Sequence, residues 1–283
     1  GEKSWQMALT MAAPVGVVAS ASTCSGESLS FALTTANSIT GTVFGFVSQS
    51  ANPNITGTGS ISGGTNLVGT FINTSGIDQN ITFTTTPTGP APSNCVGSNF
   101  TITLTVRALP GLYAVTGGGN YCDGGSGLSV GLAGSQTGVS YELYRNASPT
   151  GVMFLGTGAA FDFATIQTLP GTYTVEATNQ TSGCKRMMSG SVIIAIDPLP
   201  TDLTPVAEAI LICSGTATNI QIAGSETGVS YQLRNNLGNV SIGSPVTGNA
   251  GTINLPTGNL TINTTFNVLA TNTLTGCIRN LTG

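Results

Sequence analysis

The chain has 283 residues, of which only 6% are charged: seven Lys and Arg, eleven Asp and Glu and no His, for a net charge of −4. So few scattered cations argue against a nucleic-acid partner, which needs a basic stripe, and the lack of His removes the commonest general base and zinc ligand. With 40% apolar residues and 39 glycines the chain is not of disordered composition either.

In chain order, Met7 to Ala21 is a small and apolar segment. Two readings stand for it: a weak signal-peptide h-region behind Lys3, or an extended first strand from Pro14 into Cys24. Ile81-Thr-Phe-Thr-Thr85 and Phe100-Thr-Ile-Thr-Leu-Thr-Val106 alternate apolar and polar residues, the period of a half-buried strand. Thr172 to Thr178 repeats the pattern with Tyr173, Val175 and Ala177 on one face. Ser191 to Ile196 is a continuous apolar run that predicts a core strand, and Thr261 to Leu269 predicts another alternating one. Leu203 to Ile212 predicts a linker and a first strand. Turn signals such as Pro170-Gly171, Thr157-Gly158 and Leu237-Gly238 fall between these runs. No stretch shows a 3.6-residue period, and no apolar run reaches the ~18 residues of a membrane span. The prediction is an all-β fold.

Internal repeats divide the chain. Gly134-Ser-Gln-Thr-Gly-Val-Ser-Tyr141 matches Gly224-Ser-Glu-Thr-Gly-Val-Ser-Tyr231, an offset of 90 residues. Ala177-Thr-Asn…Gly-Cys184 matches Ala270-Thr-Asn…Gly-Cys277, and Cys24-Ser-Gly echoes Cys213-Ser-Gly. A period near 90 is the size of one Ig-like sandwich. This predicts three tandem Ig-like (PKD-like) β-sandwich domains: 1–110 with an extended N-terminal tail, 111–199, and 200–283. Each repeat carries one early and one late cysteine, so the expected disulfides are Cys24–Cys95, Cys122–Cys184 and Cys213–Cys277, in an oxidising compartment. Loops of that length imply roughly 4 kcal/mol per bond. The linkers Leu109-Pro110-Gly111 and Asp197-Pro-Leu-Pro200 bear proline, which predicts semi-rigid joints and an elongated rod.

Leu281-Thr-Gly283 falls at the position equivalent to Gly190, before the closing strand of the second repeat. The third repeat is therefore expected to lack its last strand. Either the array continues, or an extended segment of a neighbour fills the slot by donor-strand complementation. Ser4 to Ser20 is the candidate donor, and head-to-tail donation would build an open filament.

Cys24-Ser-Gly-Glu-Ser28, Gly57-Thr-Gly-Ser-Ile61, Ile81-Thr-Phe-Thr-Thr85, Cys95-Val-Gly97 and Phe100 to Val106 resemble the PKD-like domain of Bacteroidota surface proteins. The later repeats resemble the Ig-like modules found beside it. The resemblance implies large secreted proteins of the gliding-motility adhesin type, exported by the type IX system, with no catalytic residues to transfer.

The chemistry of the side chains agrees with that. Eleven carboxylates are spread from Glu2 to Glu226 with nothing to pair two of them as a glycosidase requires, and a Ser or Cys nucleophile would have no His. The chain is expected not to be an enzyme. Asp197, Asp202 and Glu208 cluster near the second linker and raise structural calcium, but no DxDxDG loop exists, so they read as solvated carboxylates and no cofactor is expected. Gly117-Gly-Gly119 and Gly124-Gly-Ser-Gly127 read as loops. Trp5 offers weak support for a carbohydrate platform, and Tyr141, Tyr144 and Tyr231 for packing. The expected role is an extracellular or cell-surface stalk or adhesin. Its expected partners are neighbouring repeats or copies of itself, surface glycans or other cells. The alternatives are a strand-exchange filament subunit or a spacer in a secreted carbohydrate-active enzyme.

Overall fold

The computed structural model describes residues 12–282. Lys3, Trp5 and the Ser4–Met11 part of the candidate donor segment lie outside them. Among the described residues every regular element is a β-strand, so the protein is all-β, as its period-2 patterning predicts. The chain divides into two compact units. One comprises the described residues up to Val115 with 131–163 and 174–191; the other comprises 116–130, 164–173 and 192 onward.

The first repeat lies within the first unit as two packed sheets. One sheet orders Ala19–Cys24, Phe100–Arg107, Gln79–Thr88 and Val43–Gln49; the other orders Ser28–Ala32, Asn66–Thr70 and Ser60–Ser62. Alternation decides which face is buried. Phe100, Ile102, Leu104 and Val106 point inward with Ile81 and Phe83, meeting Leu29 and Leu67 of the opposite sheet. Phe83 contacts Phe71 edge-to-face at 5.7 Å, and Phe44 meets Phe100 at 5.8 Å. These large inward side chains dominate the apolar area the sandwich removes from water.

The first unit also holds the hairpin of Val139–Arg145 and Ser148–Leu155. Its turn residues Asn146 and Ala147 both have positive φ, 49° and 63°, the backbone of a two-residue hairpin turn that follows the strand twist. Tyr141 and Leu143 are buried, as are Val175 and Ala177 on the strand Gly171–Asn179.

In the second unit Gly119–Cys122 runs parallel to Val192–Asp197, which pairs in turn with Gly171–Tyr173. The third repeat lies here too. One sheet orders Pro205–Ala207, Asn219–Ile222 and Ile253–Pro256; the other has Val229–Asn235 beside Phe266–Asn272, then Ile278–Asn280. Ile220, Ile222, Tyr231, Leu233, Leu255 and Val268 share its core.

The first strand expected within Leu203–Ile212 is Pro205–Ala207, which pairs with Asn219–Ile222. The expected Thr261–Leu269 strand begins only at Phe266. Extended backbone needs a ladder partner for its polar groups, and among the described residues no strand pairs with Thr261–Thr265.

Candidate functional site: the disulfide staples

The cysteines do not pair within repeats. Cys24 bonds Cys184 and Cys122 bonds Cys277, with Cα separations of 5.6 and 5.5 Å; Cys95 and Cys213 are free thiols. The expected pairs Cys24–Cys95, Cys122–Cys184 and Cys213–Cys277 are thus corrected.

Strand direction explains this. Cys24 ends a strand that runs parallel to Phe100–Arg107, and it stands opposite Arg107. Cys95 precedes the start of that same 8-residue strand. At about 3.3 Å per residue the strand separates the two cysteines by roughly 25 Å, whereas a disulfide needs Cα atoms within ~7 Å. The early cysteine therefore sits at the end of the sandwich from which the chain leaves for the next repeat, and the late cysteine at the other end. In the second repeat Cys122 stands opposite Asp197, the last residue of its own parallel partner strand.

Backbone hydrogen bonds hold both kinds of cysteine in repeated settings. After each early one, the chain turns back: Glu27 N–H donates to the Cys24 carbonyl (3.1 Å), Gly125 to Cys122 (2.9 Å) and Thr216 to Cys213 (3.1 Å). Each late one closes a turn: Gly89 N–H donates to the Cys95 carbonyl (2.9 Å), Asn179 to Cys184 (2.9 Å) and Asn272 to Cys277 (2.8 Å). Cys184 and Cys277 are fully buried, Cys95 is half-buried and Cys213 is exposed.

Around the staples the linkers are gripped by side chains. Gly111 N–H donates to Gln136 Oε1 at 3.0 Å, and Arg186 Nη1 donates to the Pro110 carbonyl at 3.2 Å. The corresponding grip in the third repeat is Thr201 N–H on Glu226 Oε2 at 3.1 Å, with the Thr201 hydroxyl donating to Glu226 Oε1. Behind each gripping residue stands a buried tyrosine, whose hydroxyl accepts the backbone N–H of Gln136 or Glu226 at 2.8 Å. Burial pushes the pKa of both Tyr141 and Tyr231 up. Both are core residues, as their pattern predicts.

The carboxylates near the second linker each have separate partners. Asp197 accepts from Asn120 Nδ2, Glu208 from Asn219 Nδ2, and Asp202 from the Thr282 N–H and hydroxyl, hydrogen bonds that hold Asp202 below the usual carboxylate range. Lys185 donates to Glu176 at 2.7 Å, which raises the lysine's pKa. Among the described residues no three Cys, Asp or Glu side chains converge as metal ligands.

Sequence reasoning missed two residues of the setting. Gly156 and Gly248 pass so close to the linker grips that a Cβ would fall 2.2 Å from the Gln136 carbonyl oxygen and 2.0 Å from that of Glu226. Their matched places in the repeats were the available signal.

Residues 21–110 match the PKD-like domain family. That is about a third of the chain, and modules of this kind are typical of extracellular adhesion and stalk proteins. None of the curated proteins matches the chain. Among solved structures, the mouse nectin-like molecule 4 ectodomain (Ig1–Ig3) is similar at 14% identity and TM-score 0.31, over 94% of this chain and 96% of that one. A SusE-like surface located polysaccharide binding protein from Bacteroides thetaiotaomicron has 12% identity and TM-score 0.35, over 79% and 42%. The Down Syndrome Cell Adhesion Molecule N-terminal Ig domains have 11% identity and TM-score 0.33, over 96% and 42%. No helix among the described residues is long and apolar enough to cross a membrane.

Proposed function

We propose that this chain is a segment of an extracellular stalk or adhesin, in which disulfides carry load from one repeat to the next without catalysis. In this reading the repeats are three sandwiches, 1–110, 111–199 and 200–283, of a Bacteroidota-type surface protein, meeting neighbouring repeats, surface glycans or other cells. No cofactor is part of it. The observation that carries it is the staple pattern itself. Each disulfide joins the exit end of one repeat to the late turn of the next, closing separations of 160 and 155 residues. Such loops are worth about 5 kcal/mol each in chain-entropy terms. They also overlap between Cys122 and Cys184, so an end-to-end pull can extend the chain between the two staples by no more than the stretch from Cys122 to Cys184. Disulfides of this kind persist in oxidising compartments.

The test is protease shaving of intact source cells, followed by differential thiol labelling of the released protein and an attachment assay. Release without lysis, oxidised Cys24–Cys184 and Cys122–Cys277, and weakened attachment are expected. A protein that stays protected in unlysed cells with all six thiols reduced would sink the proposal.

A second reading, a filament subunit joined by strand exchange, is favoured by one groove. Ile210, Leu211, Ile212 and Cys213 line it together with Thr264 and Phe266, around about 570 Å³. The occupant in this reading is the N-terminal segment of a second copy. The Ala13 carbonyl accepts from Asn37 Nδ2, Val15 and Val17 bond Ala36 and Thr34, and Ala19 and Ser20 pair with Ile102 and Thr103, which confines the donor to residues before Ala13. Filaments of the isolated chain in electron micrographs, lost on removal of residues 1–12, are its expected mark.

A further inference from the structure

The two bonded pairs obey one rule: the early cysteine of a repeat bonds the late cysteine of the following one. The rule leaves over an early cysteine of the third repeat and a late cysteine of the first, which are the free thiols Cys213 and Cys95. Both keep the backbone setting of their bonded counterparts. Cys213 accepts from Thr216 as Cys24 does from Glu27, and Cys95 accepts from Gly89 as Cys184 does from Asn179.

The groove supplies an independent observation. In the second repeat, Val192 and Ile194 pair with Tyr173 and Gly171, and the same strand continues beside Tyr121 and Cys122 to Asp197. The matching positions of the third repeat, Phe266 and Thr264 on one side and Ile212 and Cys213 on the other, line an open groove. Ile210 and Leu211 are 89% and 88% exposed beside it. Apolar side chains so exposed on a sandwich edge mark a contact surface. A strand placed there like Val192–Asp197 ends beside Cys213, where the next repeat would begin.

We infer that Cys213 forms a third staple, to the late-turn cysteine of another repeat of this kind, and that Cys95 receives an early cysteine in the same way. The chemistry is thiol–disulfide exchange. The two thiols lose two protons and two electrons to a dithiol oxidant in its disulfide form, which becomes two thiols as the new S–S bond forms. The partner repeat comes from one of two sources, a following repeat of the same polypeptide or Cys95 of a second copy. The inference rests on the extracellular reading, which supplies the oxidising compartment.

The experiment is non-reducing peptide mapping of the native protein, alkylated in the source cells before lysis. Expected is a Cys213 peptide linked to a cysteine in a late turn. A link to Cys95 in a species of twice the chain mass on non-reducing electrophoresis assigns a second copy, a link to Cys95 at single-chain mass overturns the inference, and a link to a cysteine outside this sequence, in an Ala-Thr-Asn…Gly-Cys context, assigns a following repeat. Cys213 alkylated as a free thiol, or linked to a cysteine outside such a turn, overturns the inference while Cys24–Cys184 and Cys122–Cys277 stand. Reduction of all six overturns the extracellular reading as well.

Discussion

The Tyr141 hydroxyl accepts the backbone N–H of Gln136 at 2.8 Å, and Tyr231 does the same for Glu226. Each bond fixes the loop whose side chain grips a linker. Tyr141→Phe removes the acceptor but keeps the ring, leaving a donor unpaired at a cost of about 1–3 kcal/mol. Tyr231→Phe is expected to lose a similar amount. Chemical denaturation of the two variants checks this, and a loss at only one site would break the equivalence of the repeats.

Gly156 and Gly248 lie against the same tyrosines. A Cβ at either would also come within 2.9 and 3.0 Å of the Tyr141 and Tyr231 rings. Ala at each is expected to destabilise by about 1–3 kcal/mol through overpacking. Gly76→Ala is the control, since nothing lies within 4 Å of its Cβ position, and its change should stay within about 0.5 kcal/mol.

The staples predict an asymmetry among cysteine variants. Cys24→Ser with Cys184→Ser should lower stability by about 2–5 kcal/mol. In the isolated chain, Cys95→Ser and Cys213→Ser should each change it by less than about 0.5 kcal/mol. Urea melts under non-reducing conditions read both.

Thr85 has its hydroxyl buried without a hydrogen-bond partner among the described residues. Thr85→Val replaces that hydroxyl by a methyl group of similar size. Removing an unsatisfied buried polar atom is expected to stabilise by about 1 kcal/mol, read as a higher denaturation midpoint with an unchanged slope.

Burial raises the pKa of Tyr141 and Tyr231. A folded pKa above the unfolded one, near 10, means that the stabilisation from these groups is fully present below pH 10. It is lost as pH rises through the folded values. Absorbance titration should show both phenolates ionising above the usual tyrosine range, near 10. Tyr141→Phe should flatten the alkaline fall in stability.

Much of the fold is local information. Strands such as Phe100–Arg107 and Gly171–Asn179 follow from alternation along a few residues, and the repeat offset alone places Tyr141 and Tyr231 in equivalent settings. Where an alternating segment lacks a neighbour, alternation misleads: Thr261–Thr265 has the pattern of a strand but no ladder to join. The close approach at Gly156 is equally invisible, because it depends on a carbonyl twenty residues away in the chain being folded against it.

The cysteine pairing lay beyond the sequence for the same reason. The sequence by itself determined an all-β chain of near-90-residue repeats, each with an early and a late cysteine. Only the tertiary structure decided which cysteines meet, because the first and last strands of a sandwich run parallel. That direction sends Cys24 and Cys122 to the exit end of their repeats, a strand's length from the late turn and within bonding distance of the next one.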